Sequence, residues 1–301
     1  MKKIIAVIAA VLTALPVLAG CGSKPENIPD ERMWPENVIY SNLSDSDSRE
    51  LLVKLMTEAG IDESKQKTLF EHIDEINGIM EPEELTDGFE SRSISGPKYD
   101  PYEIQDRWAE KYPDFLGYNC RITAYTLFSD YVDISEDAEV RDSFILMDLD
   151  SLAADDSAAP GGTDKFSRMF SSVPAENTKD ISVHLKNWQK SLGERGFTFE
   201  NNGSASLISV VFHDQLDSDE LFVGHTGILF DTHEGKLYFM EKLAFQEPYQ
   251  LCVFESRAQL SDYLMKKYDT AYGQTAAAPM VLENAELIEG YRTVPENMKA
   301  Q

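Results

Sequence analysis

Three cysteines and five histidines are all that 301 residues offer for thiol or imidazole chemistry. So few cysteines exclude a disulfide-stapled scaffold. No two histidines fall at metal-ligand spacing, and Asp148-Leu149-Asp150 lacks the glycine and closing glutamate of a calcium loop. A phosphate-binding glycine loop is missing too, because Gly161-Gly162 follow Pro160 in a loop-like stretch instead of a strand. Neither metal nor cofactor is therefore expected. Basic residues are also short: 27 Lys and Arg stand against 53 Asp and Glu, a net charge of -26. Such a surface repels nucleic acid, so no nucleic-acid partner is expected. What remains is 42% apolar and 10% aromatic, enough for a globular core in one large domain or two small ones.

The N-terminus has a different character. Lys2 and Lys3 precede an apolar run from Ile4 to Leu18, the charge and length of an export signal. The run ends in Leu18-Ala19-Gly20-Cys21, which resembles the lipobox of a bacterial lipoprotein. That resemblance implies a signal peptide over residues 1–20 and a diacylglyceryl group on Cys21. It also implies an extracytoplasmic protein held to the membrane by lipid alone. No later segment has the length to span a bilayer. Residues 21–45, rich in Gly, Ser, Pro, Asn and Asp, read as a tether.

Residues 46–273 read as a single α+β domain, with N-terminal helices packed on a C-terminal antiparallel sheet. Ser46 or Asp47 can cap a helix carrying Leu51, Leu52, Leu55 and Met56. Asp62 can cap a second that stops near Gly78, and Asp100-Pro101 opens a third. An insert over 133–200 contains a loop from Ala153 to Asp164. After it, Thr178-Lys179-Asp180 caps a helix carrying Ile181, Leu185, Trp188 and Leu192. From Ser206 the period becomes strand-like: Leu207–His213, Leu221–Phe230, Lys236–Leu243 and Tyr249–Phe254, with a helix after Ser256. Residues 274–301 read as an extended tail with little structure.

Chemistry concentrates in two places. Asn119-Cys120 stands where an irregular approach turns into an apolar helix, so Asn119 is an N-cap and Cys120 lies in the first turn. Unpaired N–H groups and the helix dipole favour a thiolate there. His225 lies within the second strand. A hairpin loop over 231–235 leaves Phe230 opposite Lys236, and counting back then sets His225 opposite Glu241, within reach to orient the imidazole. Plainer readings stand beside this one. Cys120 can be a buried thiol, or Cys120 and Cys252 can join in a disulfide; Cys252 otherwise reads as core. His213, followed by Asp214, is a rival base; His72 reads as a surface or boundary residue, His184 as structural and His233 as an exposed turn residue.

Asn119-Cys120 at a helix start, His225-Thr226-Gly227-Ile228 in a strand and a polar residue on the next strand resemble papain-like cysteine hydrolases. The nearest likeness is to the NlpC-type and CHAP-type cell-wall amidases and peptidases. It covers residues around 115–132 and 205–255 and places a papain-like core over 101–270. By position it implies Cys120 as nucleophile, His225 as base, Glu241 as the residue that orients it, and Asn119 as oxyanion support. Arg121 departs from the pattern, since those enzymes usually carry a small residue after the cysteine. The implied substrate is a cell-wall or other peptide. As a whole the chain also resembles a family of Gram-positive lipoproteins of unknown function and about this length. The alternative function is that of a non-catalytic lipoprotein binding an envelope component or protein partner.

Overall fold

The computed structural model describes residues 32–200, 204–216, 218–232 and 235–300; the signal-like segment, Cys21 and His233 lie outside them. The folded unit runs Trp34–Gln301. It begins with β1 (Asn37–Ser41), α1 (Ser46–Glu58), α2 (Glu63–Asn77), β2 (Glu90–Ser93), α3 (Pro101–Lys111) and α4 (Cys120–Phe128). Short elements follow: β3 (Val132–Asp133), α5 (Leu146–Ala154), α6 (Thr163–Met169), β4 (Val173–Pro174), α7 (Ile181–Glu194) and β5 (Thr198–Phe199). The long strands then come together: β6 (Ala205–Asp214), β7 (Glu220–Asp231), β8 (Leu237–Lys242) and β9 (Tyr249–Phe254). The chain finishes with α8 (Arg257–Tyr268), β10 (Met280–Glu283) and β11 (Glu286–Leu287).

Nine strands form one sheet in the order β11-β10-β6-β7-β8-β9-β1-β2, with β4 added on β7. Every pairing in it is antiparallel. The fold is therefore mixed α/β on a large antiparallel sheet. Both faces are covered, which is why β6 to β9 are apolar almost throughout instead of alternating. One core joins α1 to α7 with Leu207, Val211, Ile228, Met240 and Leu251. The other joins α8 and the C-terminal residues Ile288 and Val294 to Ile208, Leu229, Phe239 and Cys252. Helix α4 is buried at every position but Arg121. Fully covering Ile122, Leu127 and Phe128 contributes roughly 1.5–3 kcal/mol each.

Two boundaries differ from the sequence reading. The stretch read as a tether contains β1, which pairs with both β9 and β2. The stretch read as an unstructured tail contains β10, which extends the sheet beyond β6, and β11. The first helix is capped by Asp45, whose carboxylate accepts the Ser48 N–H at 2.8 Å, not by Ser46 or Asp47. The insert over 133–200 holds α5, α6, β4, α7 and β5, with Asp180 capping α7 as its sequence indicates.

Candidate functional site

The cysteine is placed by a cap and a gap. Asn119 has extended backbone, and its Oδ1 accepts the Ile122 N–H at 3.0 Å, so the helix begins at Cys120. Upstream, Gly117 (φ 89°) runs against the Trp108 ring, which would lie 3.0 Å from any added Cβ. Only glycine permits both that φ and that approach. The gap lies in β7. Its ladder with β8 ends where Gly227 faces Glu241, and β4 takes up only Glu220 and Leu221. Between these pairings the start of α4 fills in: Arg121 Nη1 donates to the Val223 carbonyl at 2.9 Å, and Cys120 Sγ lies 4.0 Å from the Gly224 oxygen.

A bulge at the same place turns the histidine. Val210 pairs with His225 but Val211 pairs with Val223, which leaves Gly224 as the extra residue. A Cβ there would meet the Phe212 ring at 1.8 Å, so the bulge requires glycine. The inserted residue reverses the alternation of β7: Leu221 and Val223 before it and Ile228 and Phe230 after it share one core. His225 consequently sits with the residues of the α8 face, stacked on Tyr268 with ring centroids 5.0 Å apart.

Cys120, His225 and Glu241 come together. His225 Nε2 is 2.6 Å from Glu241 Oε2, and Nδ1 makes no geometrically complete hydrogen bond, leaving it as the nitrogen that faces the thiol. The predicted register is corrected by two residues: Glu241 faces Gly227, because Asp231 stays in the ladder opposite Leu237. His225 is thus a diagonal neighbour of Glu241 on the same sheet face, still within reach of long side chains. The other carboxylate oxygen, Oε1, accepts the Tyr263 hydroxyl at 2.6 Å and the Cys252 thiol at 3.4 Å. Cys120 and Cys252 are both free, so no disulfide joins them.

Charge follows from these contacts. Burial alone would push the Cys120 thiol up, but the hydrogen bond and charge of His225, then the charge of Arg121, hold it below its ordinary value. Burial alone would lower His225; its hydrogen bonds to Cys120 and Glu241 win and raise it to about 9. Glu241, fully buried, would be raised by desolvation, yet its bond to His225 keeps it ionised and lowers it. Cys252 is pushed well up by burial and the Glu241 charge, so it stays a thiol. The shifts run together along the series: the thiol is held down, the imidazole raised and the carboxylate lowered.

The surrounding residues have settled roles. Arg121 forms a two-pronged pair with the buried Asp148 of α5, at 2.9 and 2.6 Å. Asn119 Nδ2 donates to the same carboxylate at 2.8 Å, so this amide is engaged at both ends. Lys242, only 1% exposed, is held by the carbonyls of Ala244, Phe245 and Glu247, and burial pushes it down to about 7. The rival His213 is bound on both nitrogens, to Asp219 and to the Ala277 N–H. His184 Nε2 contacts the Thr178 carbonyl at 2.8 Å, a structural role. His72 is a correction: it is buried and stacked on Tyr118 at 3.5 Å, and burial holds it at about 4. Asp148, Tyr263, Tyr268 and Lys242 were missed from sequence, because nothing local marks a partner that arrives from another element.

The arrangement defines a class: a mixed α/β domain on a large antiparallel sheet, with a Cys–His–Glu series at the tip of a buried helix. The chain belongs to the family described as a domain of unknown function (DUF4300), whose model matches residues 39–288. No curated protein and no solved structure matched it. The family description carries neither an activity nor a location. Among the described residues no group of His, Cys, Asp or Glu is placed to hold a metal ion, and no helix is long and apolar enough to cross a membrane.

Proposed function

We propose that the protein is a lipid-anchored, extracytoplasmic cysteine hydrolase of papain-like chemistry that cleaves an amide or peptide bond of an envelope substrate. The observation that carries this reading is the series itself: His225 lies 2.6 Å from the Glu241 carboxylate, its contacts with Cys120 and Glu241 raise it to about 9, and the thiol is held down in return. Cys120 Sγ attacks the carbonyl carbon, and the C=O electron pair moves to oxygen. The backbone N–H groups of Cys120 and Arg121, unpaired in the first helical turn, stabilise that oxyanion. His225 Nδ1 gives its proton to the departing amine as the C–N bond breaks. The same nitrogen then takes a proton from water, which attacks the thioester and expels the thiolate. Glu241 fixes the ring orientation and the imidazolium charge. Asn119 acts through its cap, setting where the helix begins.

The test is digestion of a mixed peptide library, with new N-termini read by mass spectrometry. Cleavage that disappears in Cys120→Ala is expected, and no cleavage, or the same cleavage in the variant, overturns the reading. The anchor is tested by fractionating cells that carry Cys21→Ala, which should release the protein from membranes; continued membrane binding refutes it. One observation favours the alternative of partner binding without turnover: Cys120 and His225 are only 5% and 1% exposed. A substrate must therefore displace part of the cover before the sulfur can attack.

A further inference from the structure

Close to the triad lies a groove of about 420 Å³ that the hydrolase chemistry leaves unused. Its walls are the rings of Trp108, Tyr112, Phe115 and Phe245. Leu116 and Met147, both substantially exposed, continue this apolar surface outward. The charged residues in its lining are two carboxylates, Asp114 and Asp150, both exposed. No Lys or Arg lines it, unlike the clefts built around Arg257 or around Arg141 and Arg195.

The groove is tied to the nucleophile at two points. Leu116 is four residues before Cys120, so at ~3.5 Å per residue the two lie within about 14 Å. Phe245 belongs to the turn whose carbonyls hold buried Lys242, the residue next to Glu241. A peptide whose scissile bond reaches Cys120 has to extend no more than about four residues to bring a side chain to Leu116 at the groove.

Aromatic walls with carboxylates at the rim match one kind of side chain, apolar along its stem and cationic at its tip. An acidic side chain would meet two carboxylates in the lining, where the cation at hand is Lys111, its Nζ 5.1 Å from the centre of the Tyr112 ring, and a short polar one would leave the rings uncovered. Building on the hydrolase reading above, we infer that this groove is the specificity subsite of the triad and takes a basic residue, lysine-like, of a peptide substrate.

The experiment uses the full-length chain in detergent and three acetylated pentapeptide amides, Gly-Gly-X-Gly-Gly, with X lysine, norleucine or glutamate. Binding is measured by calorimetry at low salt. The lysyl peptide should bind about tenfold tighter than its norleucine isostere, the glutamyl peptide weakest of the three, and 1 M salt should remove most of the difference. Asp114→Asn with Asp150→Asn should bring lysine to within about twofold of norleucine while leaving norleucine unchanged. Equal binding of lysine and norleucine, a preference that survives the double variant, or no binding at millimolar peptide overturns the assignment. Cys120→Ala separates the two readings. If it binds with the lysine preference while the wild type cleaves nothing, the hydrolase falls and the subsite stands. Cleavage without that preference leaves the hydrolase standing and removes the subsite.

Discussion

The pH profile of Cys120 alkylation measures the triad directly. An ordinary thiol titrates near ~8.5, so at pH 6 only about 0.3% of it is thiolate. Each unit by which an adjacent imidazolium lowers that midpoint raises the reactive form about tenfold, to a ceiling of about 300-fold at pH 6. Burial slows iodoacetamide at Cys120, since the residue is 5% exposed, but it does so by the same factor at every pH. The midpoint of the profile is therefore independent of access, and the midpoint is the quantity to read. In the wild type it should lie below 8.5. His225→Gln removes the imidazolium and leaves the desolvation of Cys120 unopposed, so the midpoint should rise above 8.5. Glu241→Gln keeps a hydrogen-bonding group but removes the charge, and should give a smaller rise in the same direction. Cys252, pushed well up by burial and the Glu241 charge, should not react below pH 8. Peptide mapping assigns each adduct, and far-UV circular dichroism shows that the variants remain folded. A wild-type midpoint at or above 8.5, or one unmoved by His225→Gln, refutes the ion-pair assignment.

Three further outcomes follow from other parts of the site. Gly224→Ala forces a Cβ into the Phe212 ring and should return the alkylation midpoint toward 8.5 by shifting the bulge that aims His225. Arg121→Met strands the buried Asp148 and should cost about 3–5 kcal/mol in urea unfolding, with the added change Asp148→Leu recovering much of it. Lys242 is pushed down to about 7 from 10.5, so between those values the unfolded chain holds the extra proton and stability should rise with pH. Lys242→Met should remove that rise, up to ~1.4 kcal/mol per pH step between pH 7.5 and 9.5, in the difference between the two unfolding curves. A difference curve that is flat over this range contradicts the lowered proton affinity of buried Lys242.

What could be read from sequence was local. Asp62, Asp100, Asn119 and Asp180 cap helices where their neighbours indicate, because a cap needs only a side-chain oxygen and the N–H two or three residues on. Strand β9 falls on the predicted residues, since an apolar run bounded by turn residues identifies itself. What could not be read was pairing at a distance. β1 and β10 are short and unremarkable in sequence, and become strands because β9 and β6 offer open edges. The contact between His225 and Glu241 was legible although its register was not. A two-residue shift keeps both side chains on one face, where a one-residue shift would have separated them. Gly224 inside a strand pattern is the local signal of the bulge, since a glycine there marks a place where the ladder can take an extra residue.

The energetics of the series bear on the choice between catalysis and mere structure. Glu241 is fully covered, His225 is 1% exposed, and both are held charged in a medium that penalises charge. A buried ion pair recovers its desolvation only with good geometry and added hydrogen bonds, and apolar residues of equal volume commonly do as well or better. This site supplies the added bonds, from Tyr263 and Cys252 on the far side of the carboxylate, while Nδ1 of the imidazole has no geometrically complete one, only the looser contact with the thiol. The structural histidines take both forms, since His213 is bound on both sides while His184 leaves its own Nδ1 unpaired. What sets His225 apart is the thiol beside its ring, whose ionisation it promotes. Proton transfer at sulfur needs a nitrogen beside it that is free to exchange its proton, which is the position the hydrolase reading gives Nδ1.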